Sequence, residues 1–293
     1  MQGLVVRNIA DLYNVEFDGE IYECMARGKL KNNGNSLTVG DLVKVEIKDE
    51  EKKLAVISEI CKRKVYIKRP KISNVSQLVL VISSKNPKPD LLMLDKQLAF
   101  AEFLGIKSLI VLNKLDLDEK NKFDEIENIY KNIGYNVILT DAKNGFGIDN
   151  LKEYLKNNIN AFSGNSGVGK STLINKIFSS NITEEGEISS RNKRGKNTTT
   201  NTELYKIDKN TYIADTPGFS TFSIEEIETK NLEKYFLEFE KNKNLCEFIG
   251  CSHIKEQNCN IKKLLESGKI SLSRYENYCK IYKELKLKEG KKW

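Results

Sequence analysis

The chain has 293 residues and a formal charge of +7 at pH 7, which is long enough for two or three compact domains. The charge and the sequence pI of about 8.9 favour a polyanionic partner such as nucleic acid, although a lysine-rich and asparagine-rich composition can by itself give a high pI. No run of about 18 apolar residues and no signal-peptide core is present, so we expect a soluble cytoplasmic protein with no membrane partner.

Residues 1–70 predict a β-rich domain. Short strand candidates, separated by turn sequences, lie at residues 4–6, 12–17, 20–26, 41–47 and 54–60. Five short strands in this length fit a small β-barrel of the oligonucleotide-binding (OB) type.

Basic residues cluster beside these strands, at Arg27, Lys29, Lys31, Lys62, Arg63, Lys64, Lys68 and Arg69. Tyr22 and Tyr66 lie nearby and are candidates for stacking on bases. Contact with RNA is one interpretation. The other is a barrel whose lysines only keep it in solution, since acidic residues are nearly as frequent in this region.

From about residue 75 the pattern changes to alternating strands and helices. Strands are predicted at residues 77–82, 108–112, 136–139 and 159–162, and helices at residues 91–104, 122–133 and 148–157. This alternation predicts a parallel sheet covered by helices on both faces, in a central α/β domain over residues 71–223.

A guanine-reading motif follows the second of these strands. Asn113-Lys114-Leu115-Asp116 has the N-K-x-D pattern, in which the Asp116 carboxylate accepts from the ring N–H and the exocyclic amine of guanine. An ATP-binding alternative requires Asp116 to be only a turn residue. After the next strand, residues 140–143 stand where GTPases usually have a Ser-Ala-Lys loop. Because Asp141 replaces the serine there, we expect only backbone contacts, from Ala142 and Lys143.

The next motif is a G-x-x-x-x-G-K-S phosphate-binding loop over residues 164–171. Its backbone N–H groups can point at phosphate oxygens, Lys170 can reach the β- and γ-phosphates, and Ser171 can bind Mg²⁺. The predicted GTP contacts of this segment are Gly164, Asn165, Ser166, Gly167, Val168, Gly169, Lys170, Ser171 and Thr172.

Two further segments complete a GTPase set. Residues 179–200 are long and polar, as in a mobile switch segment, and either Thr199 or Thr200 is expected to bind Mg²⁺. The D-x-x-G pattern follows at residues 215–218. Asp215 would hold Mg²⁺ through water, and the Gly218 N–H would contact the γ-phosphate.

The order of these motifs is unusual. An ordinary GTPase has its phosphate loop first and N-K-x-D later, whereas here N-K-x-D precedes the phosphate loop and D-x-x-G comes last. The domain is therefore predicted to be circularly permuted. A C-terminal domain would then follow the second switch directly, where it could transmit the nucleotide state.

The C-terminal domain, residues 224–293, is predicted to be mostly α-helical and to bind zinc. Cys246, Cys251, His253 and Cys259 offer three thiolates and an imidazole, a tetrahedral set with no open position, so we expect one structural ion. Helices are predicted at residues 230–241 and 273–287. This end is strongly basic, with Lys262, Lys263, Lys269, Arg274, Lys280 and the lysines of residues 286–292.

Taken together, the permuted motifs, the basic 194–200 segment and the zinc cluster resemble the RsgA (YjeQ) family of small ribosomal subunit biogenesis GTPases. The resemblance covers nearly the whole chain. It implies an OB domain, a permuted GTPase domain and a zinc domain that dock on the small subunit and its rRNA. It also implies a monomer that uses GTP and Mg²⁺ late in assembly and leaves after hydrolysis.

One departure from this family affects the mechanism. Asn197 stands where the family usually has a histidine, and asparagine cannot act as a general base, so the residue that positions the attacking water stays unassigned. Two alternatives remain open. One is a nucleotide-gated RNA-binding protein with incidental hydrolysis, and the other is a permuted GTPase of large-subunit assembly.

Overall fold

A computed structural model describes residues 1–28, 30, 36–119, 121–179, 202–215 and 224–290. Contacts divide the chain into two compact units. The first combines residues 1–78, 149–162 and 173–219, and the second combines residues 79–148, 163–172 and 220–293. Within the described ranges, no helix is both long and apolar enough to cross a membrane. The domain boundaries at residues 70 and 223 stay a prediction.

The strands of the described residues follow the predicted alternation closely. They are β1 (Gln2–Ile9), β2 (Leu12–Phe17), β3 (Glu20–Ala26), β4 (Leu42–Asp49), β5 (Leu54–Ile60), β6 (Tyr66–Lys68), β7 (Lys71–Ser73), β8 (Gln77–Ser83), β9 (Lys107–Asn113), β10 (Asn136–Thr140), β11 (Ile159–Ser163), β12 (Glu203–Asp208) and β13 (Thr211–Asp215). The α-helices are α1 (Leu91–Leu104), α2 (Lys122–Ile133), α3 (Ile148–Leu155), α4 (Lys170–Ser179), α5 (Leu237–Glu240), α6 (Asn260–Glu266) and α7 (Leu272–Glu289).

In the first unit, strands β1 to β5 form a closed barrel. They are neighbours in the order β1-β2-β3-β5-β4, and β4 returns to pair with β1. Only the β3–β5 pair is parallel. The predicted five-stranded barrel is confirmed.

Period-two alternation places one face of each strand inside the barrel. Val5, Val15 and Ile57 are fully buried in its core. Tyr22 lies in the same core at 3% exposure and stacks on Phe17, with ring centroids 4.2 Å apart. The prediction that Tyr22 is available to stack on bases is therefore wrong, because its ring faces inward.

Two of the basic residues near the barrel are already paired. Arg63 donates two hydrogen bonds of 2.7 Å to the fully buried Asp41, and its guanidinium lies 4.7 Å from the Tyr66 ring centroid. The hydrogen bond to Asp41 raises the pKa of Arg63. Arg27 donates to Glu46 at 2.6 Å. Arg63 therefore stabilises the barrel domain from a largely buried position, whereas the Arg27–Glu46 pair stays exposed on the surface.

The barrel is joined to β12 and β13 by strand pairing and by a buried carboxylate. β12 pairs with β13 and, through the register pair Arg7 and Glu203, with β1. Glu16 is 9% exposed and accepts a 3.0 Å hydrogen bond from the Tyr212 hydroxyl and another from Lys206. In the same unit, β11 pairs with β13 in parallel.

The second unit contains a sheet in the order β10-β9-β8 and the helices beside it. β9 and β10 are parallel, with Asn113 opposite Thr140 at their carboxyl ends. The seven residues of β8 are all buried, as in a strand covered on both faces. Helix α1 is capped by the Asp90 side chain and ends at Gly105 in the left-handed conformation. The predicted α/β architecture is confirmed.

The C-terminal segment departs from its prediction at one place. Residues 230–241 do not form a single helix. They are divided at Phe236 into a 3₁₀ helix over Thr229–Tyr235 and the short α5. Phe236 has an extended backbone, with φ −113° and ψ 101°. Its ring is fully buried edge-on to Tyr278, with centroids 5.2 Å apart. An extended residue cannot continue the helical hydrogen-bond pattern, so the single helix predicted over residues 230–241 is wrong.

A buried ion network joins the C-terminal segment to α1. Arg274, at 1% exposure, donates to the Asp95 carboxylate at 2.5 Å and to both Glu238 oxygens at 2.7 and 3.0 Å. Tyr130 and Asn277 donate to the two Asp95 oxygens at 2.7 Å each. Arg274 is thus an interior ion-pair partner and not part of the basic surface.

We predict that Arg274→Met destabilises the protein by about 3–5 kcal/mol, because two buried carboxylates lose their counter-ion. The measurement is the urea unfolding midpoint by circular dichroism. Lys280→Met is the control, since Lys280 is exposed on the same helix α7 and makes only a 3.9 Å ion pair. Equal midpoints for the two variants would contradict a stabilising role for the network.

Candidate nucleotide site and metal centre

The phosphate loop lies between a strand and a helix, as its motif requires. β11 ends at Ser163 and α4 begins at Lys170. A side chain at Gly164, where φ is +143°, would place its Cβ 2.2 Å from the Val81 carbonyl oxygen. At Gly169, where φ is +99°, the Cβ would lie 2.3 Å from Asn113 Nδ2. Close packing thus requires both terminal glycines of the motif.

Lys170 points into its own loop. Its Nζ donates to the carbonyl oxygens of Gly164 at 2.6 Å and Asn165 at 2.9 Å. Burial lowers the pKa of Lys170, because the ammonium is partly removed from water. Phosphate oxygens in this loop would replace the carbonyls as acceptors and favour the charged form.

The Asn113 side chain joins the three motif loops. It is 1% exposed, and its Nδ2 donates to the Val168 carbonyl of the phosphate loop at 2.9 Å. Its Oδ1 accepts from the Thr140 hydroxyl and from the Ala142 N–H, each at 3.1 Å. Segments that are far apart in sequence are therefore held together by one buried amide.

The predicted base-reading carboxylate is accessible. Asp116 lies in a 3₁₀ turn over Leu115–Leu117 and is exposed. Within the described residues it has no hydrogen bond or ion pair, so it is available to accept from a ligand. The preceding Lys114 is left-handed, with φ +66°.

The third motif loop is organised by the residue that departs from the usual pattern. Asp141 accepts from the backbone N–H groups of Lys143 at 3.0 Å and Asn144 at 3.2 Å, and also from the Asn144 amide. The Ala142 N–H donates to Asn113. Both predicted backbone donors thus have acceptors inside the protein, and their contact with a base stays a prediction.

Only some of the remaining residues that are predicted to bind nucleotide or Mg²⁺ lie within the described part of the chain. Val168 is buried, whereas Ser166, Gly167, Ser171 and Thr172 are exposed around the start of α4. Asp215 is the last residue of β13. Asn197, Thr199, Thr200 and Gly218 lie outside the described residues.

The four predicted metal ligands converge. One ligand atom from each of Cys246, Cys251, His253 and Cys259 lies within 4.8 Å of all the others. His253 Nδ1 is 3.6 Å from the Cys246 sulfur and 3.3 Å from the Cys259 sulfur, and these two sulfurs are 3.9 Å apart. Zinc–sulfur bonds of about 2.3 Å in a tetrahedron would put the sulfurs about 3.8 Å apart. The cluster therefore fits a tetrahedral ion.

The surroundings of His253 also suit a metal ligand. Its Nε2 lies 2.8 Å from the Glu233 carboxylate, which fixes the ring with Nδ1 towards the thiols. Its backbone is left-handed, with φ +62°, and its carbonyl accepts from the Tyr275 hydroxyl at 2.8 Å. A non-glycine residue in that conformation is kept there only by several contacts, as is common at ligand sites.

The ligand loop has its own internal carboxylate anchor. Glu256 accepts from the Ser252 N–H and hydroxyl and from the Ile254 and Lys255 N–H groups, at 2.8–3.1 Å. Burial by itself would raise the pKa of Glu256, but these hydrogen bonds lower it to about 2. The loop between the metal ligands is thus ordered by side-chain contacts that no zinc motif specifies.

Comparison with family models matches two regions of the chain. Residues 2–57 match the RsgA N-terminal domain and residues 60–225 match the RsgA GTPase. A relative named small ribosomal subunit biogenesis GTPase RsgA, from Alkaliphilus metalliredigens, is 38% identical over 97% of this chain and 98% of its own length. Its namesake from Clostridium novyi is 39% identical over the full length of both chains.

Solved structures agree with the sequence matches. YjeQ from Thermotoga maritima superposes with a TM-score of 0.84 at 37% identity, covering 97% of this chain and 98% of that one. YloQ, described as a circularly permuted GTPase, gives a TM-score of 0.81 at 29% identity over 98% and 95% of the two chains. The resemblance and the permuted order inferred from the motifs are confirmed.

We predict that Gly169→Ala weakens GDP binding at least about tenfold, because the new Cβ would displace Asn113 from the phosphate loop. Titration with a fluorescent GDP analogue measures this. Gly28→Ala is the matched control, since a Cβ at Gly28 would meet nothing within 4 Å. Normal GDP affinity in Gly169→Ala would mean that the loop has room for a side chain.

Proposed function

The chain belongs to the RsgA GTPase family, and we propose that it hydrolyses GTP while bound to the small ribosomal subunit, late in the assembly of that subunit, and then dissociates. We further propose that it acts in the cytoplasm as a monomer and contacts rRNA. The names of its full-length relatives support the choice of the small subunit.

The observation that carries the nucleotide part of this proposal is the set of three hydrogen bonds made by Asn113. They hold the phosphate loop, the base-reading loop and the third loop at the same end of the second unit. An exposed carboxylate at Asp116 next to that junction suits guanine, whose ring N–H and exocyclic amine are both donors. Adenine does not offer this pair of donors in that arrangement.

Each residue of the site then has a proposed part in binding. The phosphate-loop N–H groups and Lys170 hold the β- and γ-phosphates, with the Gly218 N–H on the γ-phosphate. Ser171, Thr199 or Thr200 and, through water, Asp215 would hold Mg²⁺. The ion supplies positive charge that neutralises the phosphates during transfer.

The chain's own residues leave the attacking water without an assigned partner. Asn197 has no general-base chemistry, and the residue directly after Gly218 is Phe219, where many GTPases have a water-orienting glutamine. We therefore propose slow intrinsic hydrolysis that accelerates when the ribosomal subunit orders residues 189–200. This places the missing catalytic help in the complex.

The metal part of the proposal is structural zinc. Three sulfurs and one imidazole nitrogen at the observed separations favour Zn²⁺ over Mg²⁺ or Ca²⁺, which prefer oxygen ligands. Four protein ligands leave no position for a reacting water, so the ion would stabilise the loop over residues 246–259 and take no part in hydrolysis.

We expect the small ribosomal subunit, and not the large one, to stimulate GTP turnover by about tenfold or more. The reason is that only the complex with the small subunit supplies the missing contact to the attacking water. Steady-state phosphate release is measured with GTP and with ATP, alone and with each isolated subunit. Stimulation by the large subunit would contradict the proposal. Absence of stimulation by either subunit would favour the nucleotide-gated RNA-binding alternative.

We expect the purified protein to hold about one zinc ion per chain, and Cys259→Ser to lose the ion and melt at a lower temperature. Metal content by mass spectrometry and thermal melting provide the two readouts. Cys61→Ser is the control, since Cys61 is half-buried and hydrogen-bonded to Gln2, outside the cluster. Equal zinc content in both variants would rule out this site.

A further inference from the structure

The loop between β8 and α1, residues 84–90, carries no nucleotide-binding motif, yet it contacts the base-reading loop. The Ser84 hydroxyl donates to the Lys114 carbonyl at 2.9 Å, and Lys114 Nζ donates to the Asn86 carbonyl. Lys85 forms a 3.0 Å ion pair with Glu119, just beyond the same turn. The loop therefore contacts the base-reading turn through two hydrogen bonds to Lys114 and one exposed ion pair.

The same loop also lies against the phosphate loop. Asp90, which caps α1 through the Met93 N–H at 2.9 Å, accepts from the Asn165 amide at 3.4 Å with its other oxygen. Pro87 Cδ lies 3.7 Å from the position that a Cβ on Gly167 would occupy. This seven-residue loop thus contacts both the base-reading loop and the phosphate loop, the two segments that are expected to bind a guanine nucleotide.

The contact between Ser84 and Lys114 restrains an unfavourable backbone conformation. Lys114 has φ +66° and its partner Asn86 has φ +49°, both in the left-handed region that non-glycine residues seldom adopt. For a lysine this conformation is unfavourable, and it persists only when neighbouring contacts fix it. Ser84 is 4% exposed, so its hydrogen bond is shielded from competing water.

The restrained peptide is also well placed to affect recognition. The Lys114 carbonyl lies two residues before Asp116, at the entry to the 3₁₀ turn that presents the Asp116 carboxylate. If that peptide rotates, the turn and its carboxylate move with it. The other neighbour of the turn, Asn113, is fixed separately by its own three hydrogen bonds.

We propose that Ser84 is a positioning residue for guanine recognition, acting through the Lys114 peptide on Asp116. This inference rests on the proposed function, because it requires Asp116 to read the base. It predicts that loss of the Ser84 hydroxyl weakens base selection and leaves the phosphate chemistry unchanged.

The test is Ser84→Ala, with nucleotide affinity and turnover measured separately. Loss of one shielded hydrogen bond should weaken GDP binding about 3- to 10-fold. IDP lacks the exocyclic amine, so its affinity should fall less and the GDP-to-IDP preference should shrink. The KM for GTP should rise by the same factor as the Kd for GDP, with kcat unchanged.

A double-mutant cycle separates positioning from general destabilisation. In an Asp116→Ala background, Ser84→Ala should change GDP affinity less than about twofold, because the group it positions is absent. Ser108→Ala is the matched control, since the Ser108 hydroxyl is buried on β9 with no hydrogen-bond partner within the described residues. It should leave both affinities unchanged.

Additive effects of Ser84→Ala and Asp116→Ala, or an unchanged GDP-to-IDP preference, would overturn the inference. Failure of the proposed function has a different signature. In that case Asp116→Ala itself would keep the wild-type preference for GDP over ADP, whatever the result for Ser84→Ala.

Discussion

The geometry of the nucleotide site depends on the need to satisfy one buried amide. Asn113 is almost fully enclosed, and each of its polar atoms must find a partner inside the protein, since a buried polar group without one costs about 1–3 kcal/mol. Its partners come from two other loops, the phosphate loop and the segment over residues 140–142. These contacts are spatial, so they do not depend on the order in which the chain supplies the loops. A permuted chain can therefore keep every partner of this amide, because permutation moves the chain ends and not the contacts.

A second polar interaction fixes the C-terminal segment. The guanidinium of Arg274 satisfies Asp95 and Glu238 at once, and Asp95 also accepts from Tyr130 and Asn277. Burying such a group is expensive, and replacing every member of a buried ion network with apolar residues of similar size often gives equal stability, whereas removing one member alone does not. In the observed packing of α7 against α1, both carboxylates and the guanidinium have partners. Contacts to Glu256 order the loop that carries the predicted metal ligands, whereas this network links α7 to α1.

Sequence patterns predicted the elements that local chemistry determines. The N-K-x-D and phosphate-loop motifs, the four metal ligands and most strands are each specified within a few residues. Features that depend on distant partners were not predictable. Arg274 has the sequence context of a surface charge, and only the fold brings it to Asp95, 179 positions away. The helix predicted over residues 230–241 is broken at Phe236, whose ring packs on Tyr278, a residue that is distant in the sequence. Ser84 has no motif at all, since its importance comes from a carbonyl 30 residues later.

β12 was also missed, because only Leu204 of its six residues is buried and the apolar signal is weak. Its place between β13 and β1 gives the barrel an additional role. A strand with one unpaired side presents free N–H and C=O groups that can recruit another chain. Here the first strand of the barrel takes up part of that side, so the N-terminal domain also shields an edge of the GTPase sheet. A fragment lacking the barrel would leave this side of β12 without its partner at Glu203 and therefore open to pairing with another chain.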